Sequence, residues 1–473
     1  MLFNSIDFVI FFTAVVVLYF TIPQRFRWVV LLVASCYFYM AFIPWYILIL
    51  FCLIVLDFFL GLKIEKIEDK KRRLRWLWIS IFSNIGTLFV FKYFNFFNAS
   101  FSEFFGMLNV AYPKYYFSLL LPLGLSFHTF QSLSYVIEVY RGNVKAERHI
   151  GIYALYVMFF PQLVAGPIER PAHMIPQFRE FHQFSFPRFI SGGQRMIWGF
   201  FKKIVIADQL ALFVNIVYGN PGEFSGPSLA IATVFFAFQI YCDFSGYCDI
   251  AIGAAQVLGF KLSENFNSPY FASSISDFWR RWHITLSSWF RDYVYFPLGG
   301  SLGKEVKTIR NLLITFLLSG LWHGANWTFA VWGLLNGVYL VVGRWKNKFF
   351  SDLPRLSFVS VFSTFILTCF AWIFFRAKNL TEAWYIVTNL GSGWGSFSLA
   401  DAIYLGRVDT DFFLAVLGIT VLLFVEKIRI YPDFYKRTFF SSPIIRTAGY
   451  TALVFLIAAL WEGRGTEFIY FQL

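Results

Sequence analysis

The sequence predicts an all-α polytopic membrane protein, and three observations carry that expectation. Of its 473 residues 58% are hydrophobic, only 14% are charged and 64 are Phe, more apolar surface than a soluble globular core uses. Apolar stretches recur near 6–22, 27–41, 45–62, 74–98, 115–137, 150–166, 194–218, 227–259, 311–343, 356–376, 410–426 and 445–461. A helix needs about 20 such residues to cross a hydrocarbon layer of about 30 Å, so roughly eleven membrane segments are expected, some of them short, broken or re-entrant. The formal charge of +13 is held in short loops beside the apolar stretches, which suits membrane orientation and not nucleic-acid binding.

From the amino end, Ile6 to Ile22 lacks a basic n-region and a small-residue cleavage site, and is read as a retained helix. Residues 63–75 carry Lys63, Lys66, Lys70, Lys71, Arg72, Arg73 and Arg75, and 427–446 carry Lys427, Arg429, Lys436, Arg437 and Arg446. Both loops are expected in the cytoplasm. Residues 99–114, with Glu103 and Lys114, and 377–411, with Glu382, Asp401, Asp409 and Asp411 against Lys378 and Arg407, suit the outer face. Counting crossings from these anchors puts both termini outside. Asp57 and Lys92 are expected near helix ends, snorkelling to the interface. Cys36, Cys52, Cys242, Cys248 and Cys369 all fall in apolar segments without CxxC spacing, as buried free thiols do. With no repeat and no Pro/Ser-rich linker, one membrane domain over 1–473 is the simplest partition.

Within 227–259, Gln239, Tyr241, Asp243, Ser245, Tyr247 and Asp249 form a polar set. The two aspartates are six apart and point to different faces, so they are read as fastening helices through hydrogen bonds, with Gly246 and Gly253 allowing close approach. Between 261 and 310 charge and aromatics mix. On one helix Phe278, Trp282, Trp289 and Tyr293 would share a face flanked by Arg280, Arg281 and Arg291, an interfacial amphipathic helix with His283 pointing inward.

The stretch 311–343 holds no Asp, Glu, Lys or Arg, yet contains His323. As one helix it would run about 50 Å, too long for one crossing and too short for two, so a hairpin opened near Gly320, Gly324 and Asn326 is predicted, with Arg310 and Arg344 on one side. A titratable group placed deep in lipid is read as functional by default, and an uncharged imidazole there is able to act as a base. The competing reading is a histidine that hydrogen-bonds a neighbouring helix. No GxSxG, HExxH or P-loop is present, which disfavours a serine acyl-enzyme, a zinc site and ATP hydrolysis.

The runs Ser276-Asp-Phe-Trp-Arg-Arg-Trp-His283, Trp289-Phe-Arg-Asp-Tyr-Val-Tyr-Phe-Pro-Leu-Gly-Gly300 and Leu321-Trp-His-Gly-Ala-Asn-Trp327 resemble the membrane-bound O-acyltransferase (MBOAT) family. Phe160–Pro171, Tyr241–Gly253 and the ending Glu467-Phe-Ile-Tyr-Phe-Gln-Leu473 resemble its bacterial branch of alginate-type polysaccharide O-acetylases and teichoic-acid D-alanylation proteins. The resemblance implies a helical bundle with a central tunnel and acyl transfer across a bacterial inner membrane. It implies His323 as the essential histidine and His283 as a second polar position.

On that reading His323 takes the proton of an attacking hydroxyl, and Arg280 and Arg281 meet the phosphates of acetyl-CoA or an acyl-carrier thioester. Trp322 and Asn326 are further donor-contacting candidates. No bound cofactor or metal is required, since the thioester is the donor substrate. The acceptor is a polysaccharide or a periplasmic SGNH-hydrolase-like transferase. D-alanyl transfer to teichoic acid and a non-enzymatic transporter are the alternatives.

Overall fold

In the computed structural model, residues 1–113, 115–118, 120–349, 357–398, 409–430, 442–461 and 468–469 are described. They fold into helices and connecting turns with no strand among them. Expectations resting on Lys114, Asp401, Arg407, Lys436, Arg437, Glu467 and Tyr470–Leu473 lie outside the described residues. The chain divides into two compact units, Met1–Gly193 with Ala251–Ser263, and Gln194–Ile250 with Glu264–Leu473. Among the described residues, five helices are long and apolar enough to cross a membrane: Tyr46–Lys66, Lys70–Met107, Gly226–Leu258, Phe358–Arg376 and Pro443–Leu460. Ile6–Thr21 is a shorter apolar helix.

The first unit contains α1 (Ile6–Thr21), α2 (Gln24–Met40), α3 (Tyr46–Lys66), α4 (Lys70–Leu88), α5 (Phe94–Met107), α6 (Leu125–Arg141), α7 (Ile150–Met158) and the one-turn α8 (Pro171–Met174). Ser5 caps α1 by accepting from the Phe8 amide, and Asp69 caps α4 through Lys71. Large apolar side chains such as Ile10, Val33, Leu48, Phe59 and Phe82 face outward, a pattern that suits lipid. The inward faces of α3, α4 and α7 surround α6, whose residues 125–136 are all buried.

Several expectations change here. Asp57 is not at a helix end. It lies inside α3, fully buried, where its carboxylate accepts from Ser80 Oγ at 2.6 Å and Asn84 Nδ2 at 2.8 Å of α4. Lys92 lies in a π-helical turn, Phe89–Tyr93, that joins α4 to α5 in one 38-residue helix, and not near its end. The stretch expected from 115 becomes helical only at Leu125, because Pro122 and Gly124 interrupt it. Gly124 has φ +74°, and a Cβ there would stand 2.7 Å from the Leu163 carbonyl oxygen. The stretch 150–166 stops at Met158, ahead of Pro161, and Gln162 Nε2 closes the turn onto the Tyr156 carbonyl at 2.7 Å. Of the five free thiols, Cys242, Cys248 and Cys369 are buried, Cys36 is half-buried and Cys52 is exposed on α3.

Beyond that turn, Glu169 is fully buried and accepts from Ser263 N and Ser263 Oγ as well as bonding His173 Nδ1 at 2.7 Å. The hydrogen bond to Glu169 raises the His173 pKa above 6.5, against a smaller opposing effect of burial. A raised folded-state value stabilises the protein fully below about 6.5, and the contribution disappears as pH rises through the raised value. His173→Gln is therefore expected to flatten the dependence of the thermal unfolding midpoint on pH across that window. An unchanged slope in detergent-solubilised protein would contradict this.

The second unit is built on α11 (Gly226–Leu258), of which residues 226–250 belong here. Beside it run the end of α9 (Phe186–Phe200), a π-helical turn Phe201–Ala207 and α10 (Asp208–Gly219). That turn brings consecutive lysines to the two aspartates of α11. Lys202 Nζ meets Asp249 at 2.6 Å and Ser245 Oγ at 2.8 Å, and Lys203 Nζ meets Asp243 at 2.7 Å and Asp208 at 2.9 Å. The aspartates do fasten helices, through buried ion pairs and not through neutral hydrogen bonds. Gly199 and Gly246 let the backbones approach, since a Cβ on either would come within 2.8 Å of the other's carbonyl oxygen.

The remaining helices of this unit are α12 (Ile275–Arg281), α13 (Ile284–Phe290), α14 (Glu305–His323), α15 (Trp327–Phe349), α16 (Ser357–Arg376), α17 (Leu380–Asn389), α18 (Asp409–Ile430) and α19 (Pro443–Leu460). Helices α14 and α15 form the predicted hairpin. A Cβ on Gly320 would stand 2.2 Å from the Phe329 carbonyl oxygen, and one on Gly333 would stand 2.3 Å from that of Phe316. At the open end, Trp345 Nε1 donates to Glu305 at 3.0 Å, so Arg310 and Arg344 do share a side.

Candidate active site

His323 is the last residue of α14, at the closed end of the hairpin, and only 3% exposed. Its ring lies edge-on to Trp332 at 5.0 Å, Phe375 at 5.3 Å and Trp322 at 4.9 Å. Gly324 turns the chain where a Cβ would sit 2.0 Å from the Phe329 ring, so a larger residue would have to displace that ring. Asn326 caps α15 by accepting from the Thr328 amide at 3.0 Å and holds the turn by donating to the Lys378 carbonyl at 2.8 Å. These two bonds account for the residue as a cap.

The segment 276–293 is not the continuous interfacial helix expected. It breaks at Trp282-His283 into α12 and α13, followed by a π-helical turn Arg291–Tyr295. Phe278, Trp282 and Trp289 are buried in protein and do not lie in a headgroup layer. A run of aromatics at helical spacing cannot by itself tell lipid from a protein interior. His283 points inward as expected. It is 0% exposed and takes a left-handed backbone, φ +43° and ψ +54°, a conformation rare for non-glycine residues and found where surrounding structure imposes it. Asn265 imposes it. Its carbonyl oxygen accepts from the Ile284 amide at 2.9 Å, and its Oδ1 accepts from Thr285 N at 3.1 Å and Thr285 Oγ1 at 2.9 Å while lying 3.1 Å from His283 Nδ1.

The two histidines belong to one cluster of packed aromatic rings. The Trp322 indole contacts both, 6.3 Å from the His283 ring and 4.9 Å from that of His323. Trp332 stacks on Trp372 at 5.7 Å, Trp372 meets Trp282 at 5.1 Å, and Phe244 meets His283 edge-on at 4.6 Å. The polar set of α11 lies next to it. Tyr241 donates to Glu426 of α18, and Asp243 Oδ2 accepts from the Ile469 amide at 2.7 Å. Ser245 is held by Lys202, and Gln239 Oε1 finds no partner among the described residues. Arg281 pairs with Asp277 at 3.0 Å, and Arg280 is exposed.

Asn265, Glu426, Lys202 and Lys203 are absent from the sequence reading of the site. The adjacent lysines inside the apolar stretch 194–218 carried a signal, because buried charge demands a partner. Asn265 carried none, being an amide 18 residues before the histidine it touches. Among the described residues no three His, Cys, Asp or Glu side chains are grouped to hold a metal ion.

The profile of the membrane-bound O-acyltransferase family matches residues 147–384, which include both histidines. The chain belongs to this family. It is thus a multi-pass membrane acyltransferase. Within the MBOAT family it is 37% identical over 447 residues to "Probable alginate O-acetylase AlgI" of Pseudomonas aeruginosa, covering 94% of this chain and 83% of that protein. It is 38% identical over 395 residues to the peptidoglycan O-acetyltransferase of Helicobacter pylori, covering 77% and 73%. Similarity to the teichoic acid D-alanyltransferase of Bacillus subtilis is lower, 28% over 275 residues, covering 54% and 69%.

Proposed function

We propose that this MBOAT protein transfers acetyl groups from a cytoplasmic thioester, acetyl-CoA or an acyl-carrier protein, for O-acetylation of an extracytoplasmic polysaccharide. The observation that carries the reading is the aromatic cluster in which His323, at a hairpin tip, and His283, at a forced corner, contact the same indole. The near full-length similarity to O-acetylases of alginate and peptidoglycan supports acetyl as the group and a glycan as its destination.

A hydroxyl is a weak nucleophile toward a thioester. His323 removes its proton as the oxygen attacks the carbonyl carbon, the C–S bond breaks, and the thiolate leaves as thiol with a proton returned to it. Buried indoles exclude water, which would otherwise hydrolyse the thioester. On this reading exposed Arg280 meets the donor phosphates, with Arg281, which also pairs with Asp277, beside it. The protein resides in a bacterial inner membrane, and the acceptor hydroxyl belongs either to the glycan or to a periplasmic SGNH-type transferase that relays the group.

Mass spectrometry of surface polymers from cells with and without the gene tests this. Loss of ester-linked acetate on deletion is the expected result. Loss of ester-linked D-alanine instead would replace the acetyl reading with D-alanylation.

A further inference from the structure

Asn265 is 1% exposed and its amide orientation is fixed by chemistry, not by choice. The Thr285 backbone N–H can only donate, so the atom 3.1 Å away is the amide oxygen, and Nδ2 on the other side donates to Cys248 Sγ at 3.4 Å. The same oxygen lies 3.1 Å from His283 Nδ1. An amide oxygen has no proton to give, so Nδ1 must carry the hydrogen. In a neutral imidazole the second nitrogen is then an acceptor.

From this geometry we infer that Asn265 is a positioning residue that locks His283 in the Nδ1–H tautomer, so that the ring meets its reaction partner as an acceptor at Nε2. That decides between the two roles open to a second histidine in an acyltransferase. A ring that polarises a thioester carbonyl must present N–H, whereas one that presents a lone pair can only receive a hydrogen, as from an acceptor hydroxyl. His283 presents the lone pair, so it does not polarise the carbonyl; because the attacking hydroxyl gives its one proton to His323, His283 holds the acceptor by receiving a hydrogen from a second, neighbouring hydroxyl. The corner assists, because the Asn265 main chain also holds Ile284, and Asn267 N donates to the Arg281 carbonyl at 2.9 Å on the other side of the bend. The assignment of the hydroxyl rests on the acetyl-transfer reading; the tautomer does not.

Nitrogen NMR of the full-length protein, labelled with ¹⁵N-histidine in lipid nanodiscs and assigned by comparison with His283→Gln, reads the tautomer without any donor present. A protonated Nδ1 and an unprotonated Nε2 at His283 are expected. A protonated Nε2 with a bare Nδ1 in the parent overturns the inference. Asn265→Ala removes the acceptor, and is expected to mix the tautomers and to lower glycan O-acetylation about 10²-fold, the scale of a misplaced reacting group. Asn265→Asp retains an oxygen for the same three donors and is expected to restore both. Equal tautomer and activity in Asn265→Ala and the parent would sink the positioning role. Where Asn265→Ala fails to reach the membrane, the parent spectrum and Asn265→Asp decide. Full acetylation by His323→Ala would defeat the proposed reaction while leaving the His283 spectrum intact, so the two failures are told apart.

Discussion

Replacing His323 by Ala is expected to lower ester-linked acetate on the surface polymer by about 10² to 10⁴, the contribution of a positioned base to proton transfer. The ring is 3% exposed among Trp322, Trp332 and Phe375, so truncation also leaves a void beside three aromatics. His323→Gln controls for that, since it keeps bulk and a hydrogen-bonding end but supplies no base. Both variants should match the parent in membrane abundance and lose acetate together. Acetate retained by His323→Gln, with abundance equal, removes the base assignment. Acetate lost only by His323→Ala makes the ring a packing element.

The second large effect concerns the ion pairs between the π-helical turn and α11. Lys202 and Asp249 are 4% and 11% exposed at their side chains and 2.6 Å apart. Asp249→Leu takes the ion-pair partner from the lysine, leaving Ser245 and the Tyr241 ring 5.9 Å away, and breaking a buried pair from one side costs about 3–5 kcal/mol. A lower unfolding midpoint and reduced membrane abundance are expected. Lys202→Met should cost less, because Arg195 still meets Asp249 at 3.0 Å and Glu264 beyond it. The double variant Lys202→Met with Asp249→Leu should recover much of the loss, because no lysine charge is then left unmatched. An Asp249→Leu midpoint equal to the parent would mean that the pair holds nothing together.

The parts of this protein legible in the sequence are those written in local pattern. An uncharged stretch too long for one crossing and too short for two, punctuated by Gly320 and Gly324, dictated the hairpin of α14 and α15 and left His323 at its tip. The motifs around His283 and His323 carried the family. What local pattern could not carry is anything decided by distant backbone. His283 looks like an ordinary helical residue until Asn265 bends the chain there, and no glycine marks the corner. Asp57 sits mid-helix because Ser80 and Asn84 answer it from α4, a pairing visible only once the helices are side by side. The lipid-facing and protein-facing aromatics are chemically identical, so Trp282 and Trp289 read as membrane anchors until packing claimed them.

The left-handed corner complicates any mutational survey of position 283. Most substitutions there remove an imidazole and also penalise a backbone geometry that ordinary side chains resist. Inactivity in a Val or Leu variant would then speak as loudly about a distorted scaffold as about chemistry. Glycine and asparagine accept that geometry at little cost, so they isolate the missing ring, and the gap between them and the bulkier replacements measures how much the bend itself matters.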